Sequence, residues 1–205
     1  MTSGYDAVVL AGGAGKRLGG VDKPGLAVGG RSLLDRVLAA GSGAGRTVVV
    51  GPRRATARDV VWAREEPPGG GPLPALAAGV AALGPEPRES VLVLAADLPF
   101  LTARAVEGLV AALAAAGQET EGVLLTDAGG REQSLAAAYR TEPLRRELAL
   151  LSTEHGGLTG LPLRLLTREL ALRTRPDPTG DASFDCDTWE DVAAARARLE
   201  GKSEG

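Results

Sequence analysis

Short aliphatic runs with no polar face recur along this chain, each followed by a longer stretch with helical spacing. Residues 6–11 (DAVVLA), 47–50 (TVVV), 60–63 (VVWA), 91–95 (VLVLA) and 122–126 (GVLLT) are of this kind, with a further candidate at 135–139. Runs this short without alternation fit strands covered on both faces, as in parallel sheets. Between them, residues 32–40 place Leu33, Leu34, Val37 and Leu38 on one stripe of an amphipathic helix. A Pro/Gly hinge at 67–74 leads into an Ala-rich helix through Leu83, and helical segments are expected at 103–116, 141–151, 161–172 and 188–199. Thr188 caps the last of these, with Asp191 three residues on, close to a capping box. Strands alternating with helices call for an α/β, doubly wound, mostly parallel sheet with helices on both faces. No internal repeat is visible, so one domain over residues 1–200 with a short tail at 201–205 is expected.

Composition removes several chemistries. His155 and Cys186 are the only residues of their kinds among 205, so neither an intrachain disulfide nor a zinc site of several Cys and His ligands can form within the chain. A lone cysteine and no charged-then-apolar leader make the cytoplasm the expected setting. No apolar run approaches the roughly 18 residues that span a bilayer. A formal net charge of -3 argues against a broad basic face for nucleic acid. His155, in TEHGG, reads as an exposed loop histidine, and Cys186, between two Asp, as a small packed apolar residue.

The loop after the first strand carries the strongest signal. Leu10, Ala11, Gly12, Gly13 and Gly15 lead into Lys16, Arg17 and, further on, Lys23. Closely spaced glycines let backbone N–H groups curl around phosphate oxygens, and cations complete such a cradle. A Walker A loop fails because Leu10 and Arg17 stand where Gly and Ser or Thr are required. A dinucleotide fingerprint fails because Leu18 takes the last glycine position. What remains is G-G-x-G-x-R with a downstream lysine, read as phosphate binding rather than as a solvated surface loop.

The stretch LAGGAGKRLGGVDKPGL resembles the signature of nucleotidyltransferases, and in particular that of the molybdenum cofactor guanylyltransferases, the MobA-like proteins. The pattern L-A-G-G-x-G-x-R-hydrophobic-G-G-x-D-K is matched from Leu10 to Lys23. The resemblance implies a Rossmann-like nucleotidyltransferase fold, with the glycines, Arg17 and Lys23 on the nucleotide triphosphate. L-A-G-G at this place, rather than the T-A-A-G of cytidylyl relatives, implies GTP as donor.

Further segments extend the resemblance. Asp97 follows the strand VLVLA in D-L-P-F. A carboxylate at a buried strand end is placed to hold a divalent cation, although a turn or helix-capping Asp is the simpler alternative. The family's D-x-P motif implies the metal role. Phe184 to Asp191 resembles the family segment F-x-D/N-x-D/N-T-P-E, with Trp189 in place of Pro, and makes Asp187 the second metal ligand with Asp185 in support. A structural carboxylate at the helix start is the alternative for Asp187. Gly71, Pro72 and Leu73 match the family loop that meets base and ribose. Gln133 resembles a residue bordering the acceptor pocket, with Ser134 replacing Pro, and Arg140, Arg145, Arg146, Arg164 and Arg168 read equally as acceptor contacts or solvated helix faces.

The expected function is transfer of GMP from GTP to the phosphate of molybdopterin with release of pyrophosphate. Arg17, Lys23 and Asp97 would be catalytic, Mg²⁺ the cofactor on Asp97 and Asp187, and molybdoenzymes or their chaperones further partners. A related transferase for another small phosphate, or a non-catalytic nucleotide-binding module, are the alternatives.

Overall fold

The computed structural model describes residues 4–13, 18–177 and 179–201. Its centre is a seven-stranded sheet formed by β1 (Tyr5–Leu10), β4 (Thr47–Val50), β5 (Val61–Ala63), β6 (Ser90–Ala95), β7 (Gly122–Thr126), β8 (Glu132–Arg140) and β9 (Leu172–Pro176). The strand order is β5-β4-β1-β6-β8-β7-β9. Only β8 runs against its neighbours β6 and β7; the other pairings are parallel. A separate two-stranded hairpin joins β2 (Ala27–Val28) to β3 (Arg31–Ser32).

The unalternating runs are explained by burial on both faces. Val9, Val49, Leu92 and Leu94 point into one core with Leu34, Val37 and Leu38 of α1 (Leu33–Ala40) and Val106, Leu109 and Leu113 of α3 (Ala103–Ala115). The alternate residues Val8, Val48, Val50, Val91 and Val93 point into the other. There they meet α2 (Pro72–Ala82), α4 (Thr141–His155) and α5 (Arg164–Glu169). Each strand side chain thus alternates between two apolar layers rather than between oil and water. A third, smaller core of Leu18, Val28, Leu33, Phe100, Cys186, Val192 and Ala195 seats α6 (Trp189–Gly201) against the hairpin.

The cap at Thr188 forms as its spacing requires. Thr188 Oγ1 accepts from the Asp191 N–H at 3.2 Å, and Asp191 Oδ2 accepts from the Thr188 N–H at 2.7 Å. This reciprocal pair fixes the chain immediately after Asp187.

Three local expectations are corrected. Residues 161–172 do not form one helix: α5 stops at Glu169 and Leu172 opens the edge strand β9. That strand reads LRTRP and is mostly exposed, so no apolar period marks it, while its arginines and Pro176 suit a sheet edge. His155 lies in no loop; it closes the last turn of α4. Finally, β8 starts at Glu132 and carries an irregularity opposite Leu124 and Leu125, where pairing jumps from Ala137 to Gln133. Such bulges re-aim side chains near sites.

The strand order positions the site. After β1 the chain builds outward through β4 and β5, then returns to place β6 on the other side of β1. The crevice at the carboxyl ends of β1 and β6, where Leu10 pairs with Ala95, is therefore the switch point at which open α/β sheets bind ligands.

Candidate active site

A cleft of about 320 Å³ opens at that switch point, within the range of small-molecule sites. Leu10, Gly12 and Gly13 from the end of β1, Lys23 and Pro24 beyond it, and Ala95, Ala96 and Asp97 from the end of β6 line it. Glu65, Gly69, Gly71, Pro72 and Ala75 also line it, as does Leu135 from the irregular stretch of β8. Ala96 N–H donates to the Leu10 carbonyl at 3.0 Å, so the two strand ends continue side by side into the cleft.

The charged centre is Lys23. It begins a short 3₁₀ turn, Lys23–Gly25, with Pro24 fixing the backbone. Its ammonium pairs with Asp97 Oδ2 and, at 2.6 Å, with Asp187 Oδ1, which lies 164 residues away in sequence. The C-terminal segment reaches the site because the Cys186 N–H donates to the Asp97 carbonyl at 3.2 Å and Arg198 stacks on the Phe100 and Phe184 rings. Burial pulls the Lys23 ammonium toward deprotonation, but the charge of Asp97 and hydrogen bonds to Asp187 and Asp97 outweigh it and raise its pKa. The ammonium stays charged throughout the neutral range.

A surplus of negative charge remains. Burial raises the pKa of the Asp185 carboxyl, and the charges of Asp187 and Asp97 raise it further. Asp97 Oδ1 is buried and has no hydrogen-bond partner among the described residues. Orphaned buried carboxylate oxygens are costly and call for a partner. No cluster of three or more His, Cys, Asp or Glu able to hold a metal occurs among the described residues. The donors present are instead a pair of hard carboxylates, the set with which Mg²⁺ is commonly held together with substrate phosphates and water.

Cys186 is fully buried in the third core, as its apolar reading requires. Burial, then the charge of Asp97, pushes its thiol up to about 12. The thiolate is the reactive form, so Cys186 should resist a thiol reagent at pH 8.5 in the native protein and react stoichiometrically in guanidinium. Rapid native labelling would contradict the burial.

Most of the residues read from the sequence converge on this cleft. Leu10, Gly12, Gly13, Lys23, Gly71, Pro72 and Asp97 line it, and Asp187 joins through Lys23. Gly15 and Arg17 lie outside the described residues. Two further residues of the expected set have their side chains in the core. Ala11 is buried with its N–H on the Val50 carbonyl at 2.8 Å, and Leu73, in the first turn of α2, is wholly inside the core. Gln133 donates to Asp127 Oδ2 at 3.4 Å and is absent from the cleft wall, where Leu135 stands.

Arg140, Arg145 and Arg146 are excluded as cleft residues by position. Arg140 pairs with Ser90 at the amino end of β6, opposite the cleft, and its guanidinium serves Thr120, Glu89, Ala116 and Gly117. Arg145 reaches the Gly84 carbonyl, and Arg146 pairs with Glu121 and Glu147. Arg164 and Arg168 are exposed on α5. Sequence reasoning missed Glu65, whose Oε1 accepts from the Gly69 N–H at 3.0 Å and whose position just before the Pro/Gly hinge is the available signal.

With this geometry in view, comparison with known proteins is decisive for the family. The model of the MobA-like NTP transferase domain matches residues 7–171. The chain belongs to this family. A molybdenum cofactor guanylyltransferase of Bradyrhizobium sp. (strain ORS 278) is 31% identical over 204 residues, covering 95% of this chain and 92% of that protein. Among solved structures, molybdopterin-guanine dinucleotide biosynthesis protein A of Archaeoglobus fulgidus aligns with a TM-score of 0.72 at 20% identity, covering 96% of this chain and 100% of that one. The 2-C-methyl-D-erythritol 4-phosphate cytidylyltransferase of Thermus thermophilus aligns at 0.68 with 18% identity over 94% and 98% of the chains. Both structures share the fold, so the MobA-like architecture itself does not select one nucleotide or acceptor.

Proposed function

We propose that this MobA-like chain is a guanylyltransferase that transfers GMP from GTP to the terminal phosphate of molybdopterin, with Mg²⁺ held by Asp97 and Asp187. The observation that carries the reading is the Lys23 ammonium between two carboxylates at the mouth of a glycine-rich cleft. The name of the Bradyrhizobium relative supports the donor and acceptor.

In the proposed reaction an oxygen of the acceptor phosphate attacks the α-phosphorus of GTP. A new P–O bond forms, the α–β bridging P–O bond breaks, and pyrophosphate leaves. The acceptor is already an anion, so no side chain needs to remove a proton, which agrees with a cleft lined by neither His nor Cys among the described residues. Backbone N–H groups of Gly12 and Gly13 approach the phosphates, and Lys23 offsets their charge as it shifts to pyrophosphate. Mg²⁺ would supply charge neutralisation at the phosphate oxygens. The wall formed by Glu65, Gly69, Gly71 and Pro72 takes the nucleoside, so that positioning does most of the work. A cytoplasmic setting belongs to the same proposal and rests on the single cysteine.

A thermal-shift comparison of GTP, CTP, ATP and UTP with Mg²⁺ tests the donor. At a hundredfold excess over Kd a native-state ligand adds about 2.7 kcal/mol, which is several degrees in a chain of this size. GTP is expected to give the largest rise, and pyrophosphate release should then require molybdopterin. A larger shift with CTP or UTP, or no release with molybdopterin, overturns this assignment.

A further inference from the structure

Arg54 lies in the loop after β4, outside every segment in which the sequence showed chemistry. Its side chain is only 13% exposed. Nη2 reaches the Ala11 carbonyl at 3.4 Å and Asp22 Oδ1 at 3.0 Å. One guanidinium therefore grips both ends of the glycine-rich segment: Ala11 directly precedes Gly12, and Asp22 directly precedes Lys23. The same loop is pressed against that segment through Gly51, where a Cβ would lie 2.6 Å from the Ala11 carbonyl oxygen.

The other two nitrogens, Nε and Nη1, are buried and have no hydrogen-bond partner among the described residues. Arg140 provides an internal comparison. It is similarly buried, at 10% exposure, yet all three of its nitrogens are satisfied, by Thr120, Glu89, Ala116 and Gly117. A guanidinium cannot shed its charge when buried, so unpaired N–H groups carry their full desolvation cost. In a native site such a deficit marks a missing anion or a strain reservoir. An anion held there, away from water, interacts far more strongly than at the surface.

We propose that Arg54 is a pyrophosphate-binding residue: it braces Ala11 and Asp22 with Nη2 and gives Nε and Nη1 to oxygens of the donor's β- and γ-phosphates. This rests on the nucleotidyltransferase reading above. It assigns the selection of a triphosphate over a monophosphate partly to the β4 loop, and it leaves the guanine end of the ligand unaffected. As pyrophosphate forms, the same nitrogens would bind the leaving group and offset its growing charge.

The test measures binding of Mg²⁺–GTP, inorganic pyrophosphate and GMP to wild type, Arg54→Lys and Arg54→Met by calorimetry, with the melting temperature of each unliganded protein. Losing charge-assisted hydrogen bonds should weaken GTP and pyrophosphate about tenfold or more in both variants. Lysine should not rescue, because a point charge cannot reproduce the fork. GMP affinity should stay within about twofold, and the unliganded Met variant should melt no lower than wild type, since the desolvation cost of two buried N–H groups without partners among the described residues offsets the lost pairing with the largely exposed Asp22. A lower melting temperature with GTP and GMP weakened in equal proportion would reduce Arg54 to a structural brace and overturn the proposal. If Arg54→Met does not fold, Arg54→Lys with wild-type affinity for pyrophosphate overturns it equally. Wild type that binds neither GTP nor pyrophosphate would instead overturn the function reading, and this inference with it.

Discussion

Asp97→Asn is expected to slow nucleotidyl transfer by about 10²–10³-fold, the scale seen when one preorganised electrostatic contact is removed from a transition state. The substitution keeps the shape of the side chain and removes its charge. Asp97 Oδ2 faces the Lys23 ammonium, and Oδ1 is the orphaned buried oxygen on which the cation assignment depends. The fold should survive, because Lys23 keeps Asp187 and is not left as an unpaired buried charge. Steady-state pyrophosphate release over a Mg²⁺ titration, beside a thermal melt, separates the possibilities. A lower rate with a higher Mg²⁺ requirement and a near-native melt supports the role. Wild-type rate and Mg²⁺ dependence would remove Asp97 from the site chemistry.

Gly51→Ala is expected to cost roughly 2–5 kcal/mol, combining overpacking with left-handed backbone strain. Gly51 has φ +147°, and an added Cβ would stand 2.6 Å from the Ala11 oxygen and 3.1 Å from the Gly12 nitrogen. These are backbone atoms and cannot rotate aside as a side chain would. Relief would have to come from β4 separating from the start of the glycine segment, where the Ala11 N–H donates to the Val50 carbonyl at 2.8 Å. The melting temperature should fall by roughly 5–15 °C, and nucleotide affinity should fall with it. Gly130→Ala is the control. Its φ is +80°, but among the described residues nothing lies within 4 Å of the added carbon, so only conformational strain of about 1 kcal/mol is expected. Equal losses in the two variants would contradict the close-approach argument.

Strands buried on both faces are legible because their apolar runs need no partner to be recognised. The limits that those runs predict for β1, β4 and β6 agree with the structure to within a residue. β9 is invisible for the converse reason: an edge strand of Arg, Thr and Pro has no buried face to impose a period. In the site, Gly12, Gly13, Gly71, Lys23, Asp97, Pro72 and Asp187 are legible through spacing and a family signature, and the structure brings them to one cleft or its rim. Leu73 and Ala11 sit within the same signatures with their side chains in the core, and sequence spacing does not separate a side chain that faces the cleft from one that packs behind it. Arg140 is an open candidate in the sequence, and only its strand position puts it at the wrong end of the sheet.

Residue order alone carries the alternation of strand and helix, the glycine-rich turn after β1 and the expectation of a chemistry of few residues: backbone amides, Arg17, Lys23 and paired carboxylates, with no nucleophile of the His or Cys type. These are local properties, set by hydrophobic period and by which side chains exist at all. Which distant groups meet is a matter for the folded chain. Folding places Asp187 on Lys23 across 164 residues, chooses Leu135 over Gln133 for the cleft wall, and buries Arg54 against both ends of the glycine segment with two nitrogens unpaired among the described residues. Strand order and loop packing fix such encounters, and neither leaves a periodic trace in the residues concerned. In a loop such as Gly51-Pro52-Arg53-Arg54, the second arginine looks like any solvated surface charge until the chain around it is folded.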